Sequence, residues 1–567
     1  MLFRFIKAGG VKNEAEDKKY VTLHNYFNDY EVVVNLVAEA RRANKMTGPV
    51  HNRGESATCC ESIYLEGRNC LLFRNGALSY AVIQQNMFCS AIYFFEERII
   101  VSAEPKETFF GIVEKLEEFE GRHPDVASPK KFLGVILSYS RPYHFIYERI
   151  PAVIKWRDRI GSFPILSVSG TSFFSAGDLF SEVEDLRISN IQRYVHRQNG
   201  FLIDAGRTRE GGNARAELRS GAEMAARLVN SRYSLADKKI APHCGSPLVW
   251  FGLCREKRPW PEMAQAYAIT ICKILEFYPQ AHFAFDGLTA PIGRTQIEFS
   301  SRVERERLLL QEILDRVGAP IAYFDLIGAQ ASDKVGIASL ADYFVSSALS
   351  DANWCALLNR RPGLGYASNI ALESRIIHPK TYVLPKVFVT DADDTERNWA
   401  VKGYSIEPEI IRDFAMLGLV AQLSLKARSR EFAGFLENPM LGNSSKIEFG
   451  GVKFYVDLAD GEELSLNEAG EPASDRDVAH ILLARRYEFK SDIVTSKNLR
   501  AAIVVEALDK EDLVIERYTL SRSIADVHFG ADTFAVRIRL SLSGSGSAEY
   551  FGYRAQPIPD SYLDALD

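Results

Sequence analysis

From Lys131 to the valine-rich stretch TYVLPKVFV, the sequence repeats one rhythm: a short, nearly unbroken apolar run, a small or polar turn, then a helix-length segment with an apolar stripe. The runs are FLGVILSYS, FPILSVSG and FLIDAG in the first stretch, then PLVWFGLC, HFAFDGL, PIAYFDLIG, DYFVSS and TYVLPKVFV. A run that is apolar at nearly every position suits a strand buried on both faces. Alternation with helices then calls for parallel strands joined by crossover helices, because a parallel neighbour cannot be reached by a tight turn. The expected fold class is therefore α/β, with two Rossmann-like halves.

The helices between the runs carry their own punctuation. RPYHFIYERIPAVIKWRDRI follows the first run as a helix, and Pro261 opens another whose stripe passes through Ala264, Tyr267, Ala268, Ile271, Ile274 and Leu275 before Pro279 ends it. Ser301 with Glu304 forms a capping-box signal, and Gly318 is placed to close that helix. A short helix is expected over Lys334–Leu340. The Gly- and Arg-rich GRTREGGNARAELRSG, from Gly206 to Gly221, reads as a loop between the halves that leads into a helix near Ala222–Val229.

Outside this region the rhythm changes. Residues 1–125 read as an α+β region: a helix over Tyr30–Ala43, strand-like CLLFRNGALSYAVI with a turn at Asn75 and Gly76, strand-like AIYFFEERIIVSAE, and a helix over Glu107–Glu120. Residues 126–235 and 236–440 are the two Rossmann-like halves. In residues 441–567, alternating runs such as LRAAIVVEAL, DLVIERYTL, TFAVRIRLSL and AEYFGYRA predict a β-sandwich, with LSGSGS as an exposed turn between two strands.

Composition narrows the function classes. A chain of 567 residues with 47% hydrophobic and 25% charged residues builds several globular cores. Its 68 Lys and Arg against 74 Asp and Glu leave a net charge of −6, which argues against nucleic acid as the main partner. No apolar run nears the roughly 20 residues of a membrane span, and MLFRFIKAGG is short for a secretory signal, so only peripheral membrane contact stays open. Eight scattered cysteines without a CxxC pair suit buried thiols in a reducing cytoplasm. His243 and Cys244 lack the partners of a zinc site, and no metal is expected.

In open parallel sheets, ligands bind in the crevice beyond the carboxyl ends of the strands. The loop after PLVWFGLC holds Arg255, Lys257 and Arg258 just before a helix, where guanidinium forks and helix N–H groups can hold a diphosphate; a solvated surface turn is the alternative. Arg294, after the second run, offers a second phosphate contact. Asp286 can accept from a hydroxyl or cap its turn. After DYFVSS come Ser346, Ser347, Ser350, Asp351 and Asn353 and then helix-like WCALL, a set that offers small donors and a helix start to phosphate.

Over Pro242–Tyr382 these elements resemble the C-terminal half of GT-B class glycosyltransferases, in particular the heptosyltransferase-like and fucosyltransferase-like branches. The resemblance implies two Rossmann-like domains of GT-B type, a nucleotide-sugar donor as co-substrate in residues 236–440, and an acceptor side in residues 126–235. It further implies a base on the acceptor side. His144 fills that role if it is not simply a packed aromatic neighbour, with Asp204 as a further carboxylate candidate and Arg141, Tyr143, Ser169 and Thr171 lining the acceptor region. The acceptor would be a glycan, a lipid-linked sugar or a protein. The sequence has Ser350 and Asp351 where those proteins carry a Ser-Gly dipeptide, and shows no convincing Glu-x7-Glu sugar-nucleotide motif. Two further readings therefore stay open: a sugar-nucleotide epimerase, and a non-catalytic carbohydrate-binding protein on the same scaffold.

Overall fold

The computed structural model of the chain describes residues 4–8, 17–49, 56–75, 77–103, 108–122, 130–183, 186–208, 214–235, 246–253, 260–294, 300–373, 378, 380–392, 403–432, 452–457, 463–466, 480–481, 484–496, 498–511, 513–520, 524–559 and 562. They belong to two compact units, Met1–Leu228 with Ala290–Arg294, and Val229–Thr289 with Thr295–Asp567.

The first unit begins with a mixed sheet of β1 (Arg4–Lys7), β2 (Thr47–Pro49), β3 (Ser56–Leu65), β4 (Arg68–Asn75), β5 (Ala77–Gln84), β6 (Ala91–Phe94) and β7 (Ile99–Ser102). Its order is β1-β7-β6-β5-β4-β3-β2, antiparallel except for β1 beside β7. Asn75 pairs with Ala77, so the expected hairpin forms. β3 escaped notice because Ser, Thr, Cys and Glu break up its apolar pattern. The helix Thr108–Arg122 packs its apolar side, with Ile112, Val113 and Leu116, onto Leu72, Ile83 and Tyr93 of this sheet.

A second sheet in the same unit holds β8 (Lys131–Leu137), β9 (Ile165–Val168), β10 (Leu186–Ile188) and β11 (Gly200–Asp204), all parallel, in the order β10-β9-β8-β11. The three expected runs are β8, β9 and β11. Gly134, at a φ of 132°, lets β8 pass close to Pro164, whose carbonyl would lie 2.6 Å from any Cβ there. Buried polar side chains tie the two sheets together: Asn69 Nδ2 donates to the Leu202 carbonyl (2.7 Å), Leu202 N–H to Ser62 Oγ (2.9 Å), and Asp204 N–H to Gln84 Oε1 (2.9 Å). The loop expected over Gly206–Gly221 is helical from Ala214, within the helix Ala214–Tyr233.

The second unit contains a fully parallel sheet of β12 (Leu248–Gly252), β13 (His282–Asp286), β14 (Ala322–Leu326), β15 (Tyr343–Ser347), β16 (Gly363–Tyr366) and β17 (Thr381–Val383). The order β14-β13-β12-β15-β16-β17 is doubly wound, reversing direction between β12 and β15. β16 was hidden in a loop-like GLGY; its glycines are needed because a Cβ on Gly363 or Gly365 would meet Phe344 or Thr381 of the flanking strands at 2.3 and 2.4 Å. The helix Met263–Phe277 buries the expected stripe, while Ser301 lies inside the helix Ser300–Val317 rather than capping it. Gly318, at a φ of 66°, closes that helix. Short β18 (Thr390–Asp391) and β19 (Tyr404–Ser405) pair, and the helix Pro408–Phe432 packs beside Met263–Phe277.

The rest of this unit is antiparallel: β20 (Val452–Asp457), β21 (Glu463–Leu466), β22 (His480–Ile481), β23 (Arg486–Thr495), β24 (Leu499–Leu508), β25 (Val514–Leu520), β26 (Ile524–His528) and β27 (Ala535–Ile558). Here LSGSGS is not an exposed turn. It lies inside β27, where Gly544 and Gly546, at φ values of 92° and 149°, redirect one long strand. The first part of β27 pairs with β24, the last part with β23 and β20, giving a curled sheet. Phe529 of the HFGADTF stretch is in its core with Tyr487, Phe489 and Ile538, whereas Phe534 is 38% exposed. Among the described residues no helix is long and apolar enough to cross a membrane.

Candidate functional site

In the doubly wound sheet the candidate crevice lies where the order reverses, at the carboxyl ends of β12 and β15. Gly252 ends β12; a Cβ there would sit 2.7 Å from Ser346 Cβ and 3.6 Å from Asp351 Cβ, so these two side chains flank it. Tyr267 closes the floor by donating to the Gly252 carbonyl (2.8 Å), and its hydroxyl also meets that of Tyr366. Ser346 and Asn353 are buried, Ser347 is half-buried and Ser350 is exposed, with its Oγ 3.4 Å from Asp351 Oδ1. The five residues expected here are therefore neighbours around one strand end.

The expected helix over WCALL is absent. Asp351–Asn353 forms a single 3₁₀ turn and tight turns follow, so no helix begins directly after β15. Asp286 is buried and ion-paired with Lys334, whose ammonium also donates to the carbonyls of Gly287 (2.7 Å) and Leu288 (3.1 Å), and its carboxylate accepts from the Gly287 N–H at the turn after β13. Burial raises the Asp286 pKa and Lys334 opposes the rise. Next to it Glu306 accepts from Leu288 N–H (2.6 Å), and burial pushes its pKa up to about 7. Lys334 was legible only as a lone cation on the apolar side of its helix, beside Ala331, Val335 and Ala338. Arg255, Lys257 and Arg258, like His243 and Cys244, lie outside the described residues.

A second cluster forms in the first unit at the carboxyl ends of β8 and β9. Ser138 Oγ donates to Thr171 Oγ1 (2.6 Å) and Tyr139 N–H to the Thr171 carbonyl (2.9 Å). The segment Ala290–Arg294 joins them: Gly170 N–H donates to the Ile292 carbonyl (2.7 Å) and Ile292 N–H to the Ser172 carbonyl (2.8 Å). Arg294, expected among the phosphate contacts, is thereby held against the Ser169–Thr171 loop, where a Cβ on Gly170 would lie 2.6 Å from its Nε.

His144 stands at the same edge. Its Nδ1 is 3.1 Å from Glu148 Oε1, an ion-pair distance, and its ring packs against Tyr139 and Tyr143 at 4.6 and 5.3 Å. Arg141 is exposed and Tyr143 half-buried, the latter stacked on Tyr147 at 4.2 Å. The helix is locally wider over Phe145–Arg149, a π turn of the kind often kept at functional positions. Glu148 was missed, although its spacing of four from His144 on a helix was the available signal.

Asp204 is buried against Arg149, with contacts of 3.0 and 3.2 Å, and Arg149 also reaches the carbonyls of Gln85 and Ala205. Burial raises the Asp204 pKa to about 6 while Arg149 pulls it down. This carboxylate therefore anchors Arg149, whose guanidinium lies 5.3 Å from the Tyr139 ring, beneath the His144 edge. Among the described residues, no three His, Cys, Asp or Glu side chains are grouped to hold a metal ion.

No protein-family model matches the sequence. No curated protein matches it either. Among solved structures, the chain is similar to E. coli heptosyltransferase WaaC with ADP, at 10% identity over 45% of this chain and 93% of that one, with a TM-score of 0.29. It is similar to the UDP-GlcNAc 2-epimerase from Neisseria meningitidis bound to UDP-GlcNAc, at 11% identity over 59% and 76%, with a TM-score of 0.25. A third likeness is to the accessory secretory protein 1, 2 and 3 structure from Streptococcus pneumoniae, at 11% identity over 21% and 100%, with a TM-score of 0.15.

Proposed function

We propose that this protein is a GT-B-type glycosyltransferase that moves a sugar from a nucleotide-activated donor to a hydroxyl of a glycan, lipid-linked or protein acceptor. The observation that carries this reading is the His144–Glu148 pair at the end of a parallel sheet, 3.1 Å apart. The contact is close but not aligned as a hydrogen bond; once aligned, a carboxylate at Nδ1 favours the tautomer with its proton there and leaves Nε2 to accept one, and such contacts are often loosely aligned before substrate arrives. The acceptor hydroxyl loses its proton to His144 Nε2 as its oxygen bonds to the anomeric carbon. The bond from that carbon to the diphosphate oxygen breaks, and the diphosphate leaves with the electron pair.

Arg255, Lys257 and Arg258 stabilise the departing charge, and Ser346, Ser347, Ser350 and Asn353 supply short donors beside Gly252. Arg141, Tyr143, Ser169 and Thr171, with Arg294, orient the acceptor. Within this reading residues 126–235 form the acceptor domain and residues 236–440 the donor domain, flanked by the 1–125 region and a 441–567 β domain, in a cytoplasmic protein. Release of nucleoside diphosphate from a panel of nucleotide sugars tests it: turnover that falls at least about 100-fold in His144→Ala supports the assignment. Absence of turnover with every donor refutes it.

A second reading, glycan binding without turnover, is favoured by the same crevice. Asp351 brings a carboxylate to the end of β15, and directly after that strand a single 3₁₀ turn stands where a helix start would attract phosphate. Calorimetry separates the two, because this reading requires glycan binding with no binding of nucleoside diphosphates.

A further inference from the structure

A base that takes a proton at Nε2 needs a ring held in one pose, and Glu148 alone does not hold it, because its contact at Nδ1 is not aligned as a hydrogen bond. Aromatic neighbours do. Tyr139 lies against the His144 ring with centroids 4.6 Å apart and planes at 39°, and Tyr143 meets it edge-on at 5.3 Å and 87°. Attraction between rings at these separations depends on their relative orientation, so the pose of Tyr139 constrains that of the imidazole.

Tyr139 is itself held from three sides. Its N–H donates to the Thr171 carbonyl (2.9 Å), its hydroxyl donates to Asn86 Oδ1 (2.6 Å), and the Arg149 guanidinium lies 5.3 Å from its ring centroid. Arg149 is fixed in turn by Asp204 and by the carbonyls of Gln85 and Ala205. Gln85 and Asn86 directly follow β5, so one connection grips the tyrosine twice, through its hydroxyl and through Arg149.

The π turn makes the arrangement possible. In a regular α-helix, residues five apart are turned roughly 140° from one another about the axis. Here the Ile150 N–H bonds to the Phe145 carbonyl, which adds a residue to the turn, and His144 and Arg149 both reach the Tyr139 ring.

We propose that Tyr139, gripped by Asn86 and Arg149, is the positioning residue that sets the plane of the His144 ring for proton transfer. The proposal rests on the transferase reading and deepens it, since Tyr139 acts through His144 rather than on the reacting atoms. Two measurements on the full chain test it: initial rates of nucleoside diphosphate release, and proton–nitrogen NMR spectra of the labelled histidine rings, with the His144 signals assigned from His144→Ala. The spectra are taken at about pH 8, where an ordinary imidazole is neutral.

Tyr139→Leu removes the aromatic face. It is expected to lower kcat about 10- to 100-fold with donor KM little changed, the cost of a reacting group displaced by about 1 Å, and to shift the His144 ring nitrogens toward the average of the two tautomers. Tyr139→Phe keeps the face and loses only the bond to Asn86, so it recovers most of the rate, with a loss of about two- to tenfold. Asn86→Ala should match Tyr139→Phe, and the double change should cost no more than either, because both remove one bond. This second pair decides the matter if Tyr139→Leu does not fold. Parental His144 ring signals in the folded variants overturn the proposal, as do losses that add in the double variant. Turnover in the parent with parental ring signals in the variants removes only the positioning role. Absence of turnover from every donor removes the transferase, and the ring spectra then still decide whether Tyr139 orients His144.

Discussion

Lys334 and Asp286 form an ion pair in which neither side chain has more than 3% of its surface exposed, at the carboxyl end of β13. The ammonium directs its remaining protons to the carbonyls of Gly287 and Leu288, so the charge is satisfied on every side. A pair this deep adds little net stability over apolar residues, yet breaking it from one side leaves a buried charge alone. Lys334→Met is therefore expected to cost about 3–5 kcal/mol, and the double change Lys334→Met with Asp286→Leu to recover most of that loss. Urea unfolding followed by tryptophan fluorescence reads both; equal losses in the single and double variants would refute the account.

Glu306 makes the same region sensitive to pH. Its folded pKa of about 7 lies above the value near 4.3 of an unfolded glutamate, so the folded state binds the extra proton between those values. Its contribution is complete below about pH 4.3 and is lost as pH rises through 7. Glu306→Gln keeps an oxygen for the Leu288 N–H and removes the titration. The variant should flatten the stability profile between pH 5 and 8 and be more stable than the parent by about 1–3 kcal/mol at pH 8. Denaturation at four pH values checks this, and parallel profiles for the two proteins would contradict it.

In the proposed transfer, His144→Ala and Glu148→Gln should differ in degree. Loss of the base removes about 100- to 10,000-fold from kcat with donor KM little changed, whereas Glu148→Gln leaves an imidazole with a less defined tautomer and costs about 10- to 100-fold. Initial rates of nucleoside diphosphate release give both numbers. A Glu148→Gln variant with parental kcat would mean that the 3.1 Å contact is structural.

Gly252→Ala probes the crevice floor. The added methyl would meet Ser346 Cβ at 2.7 Å, and crowding of this kind costs about 1–3 kcal/mol. Combining it with Ser346→Gly should relieve most of the strain, which thermal melts of the three variants reveal. If the double variant is no better than Gly252→Ala, the neighbour that matters is not Ser346.

The parallel strands were legible because burial on both faces requires uninterrupted apolar sequence, and β8, β9, β12, β13 and β15 have it. β3 and β16 were not: one is interrupted by polar residues, the other is half glycine because its neighbours leave no room for side chains. The serines after β15 fell together because they share one strand end. The hold on Arg294 was not legible, since backbone pairing of Ile292 with Gly170 and Ser172, which ties its segment to the Ser169–Thr171 loop, is invisible in a linear pattern. Lys334 and Glu148 were hidden for a related reason: a charged residue on a helix reads as solvated until its partner, 48 residues away for Lys334, is known to face it.

β27 constrains the order in which the antiparallel strands of the second unit can pair. β20, β21, β22, β23 and β24 each take hydrogen bonds from that one strand, which is the last of the series to be synthesised. Until the ribosome has released Ala535–Ile558, those earlier strands have unsatisfied edges open to wrong partners. Only β23 with β26 and β24 with β25 can pair before then, and unpaired strand edges of this kind are sites of aggregation and chaperone capture.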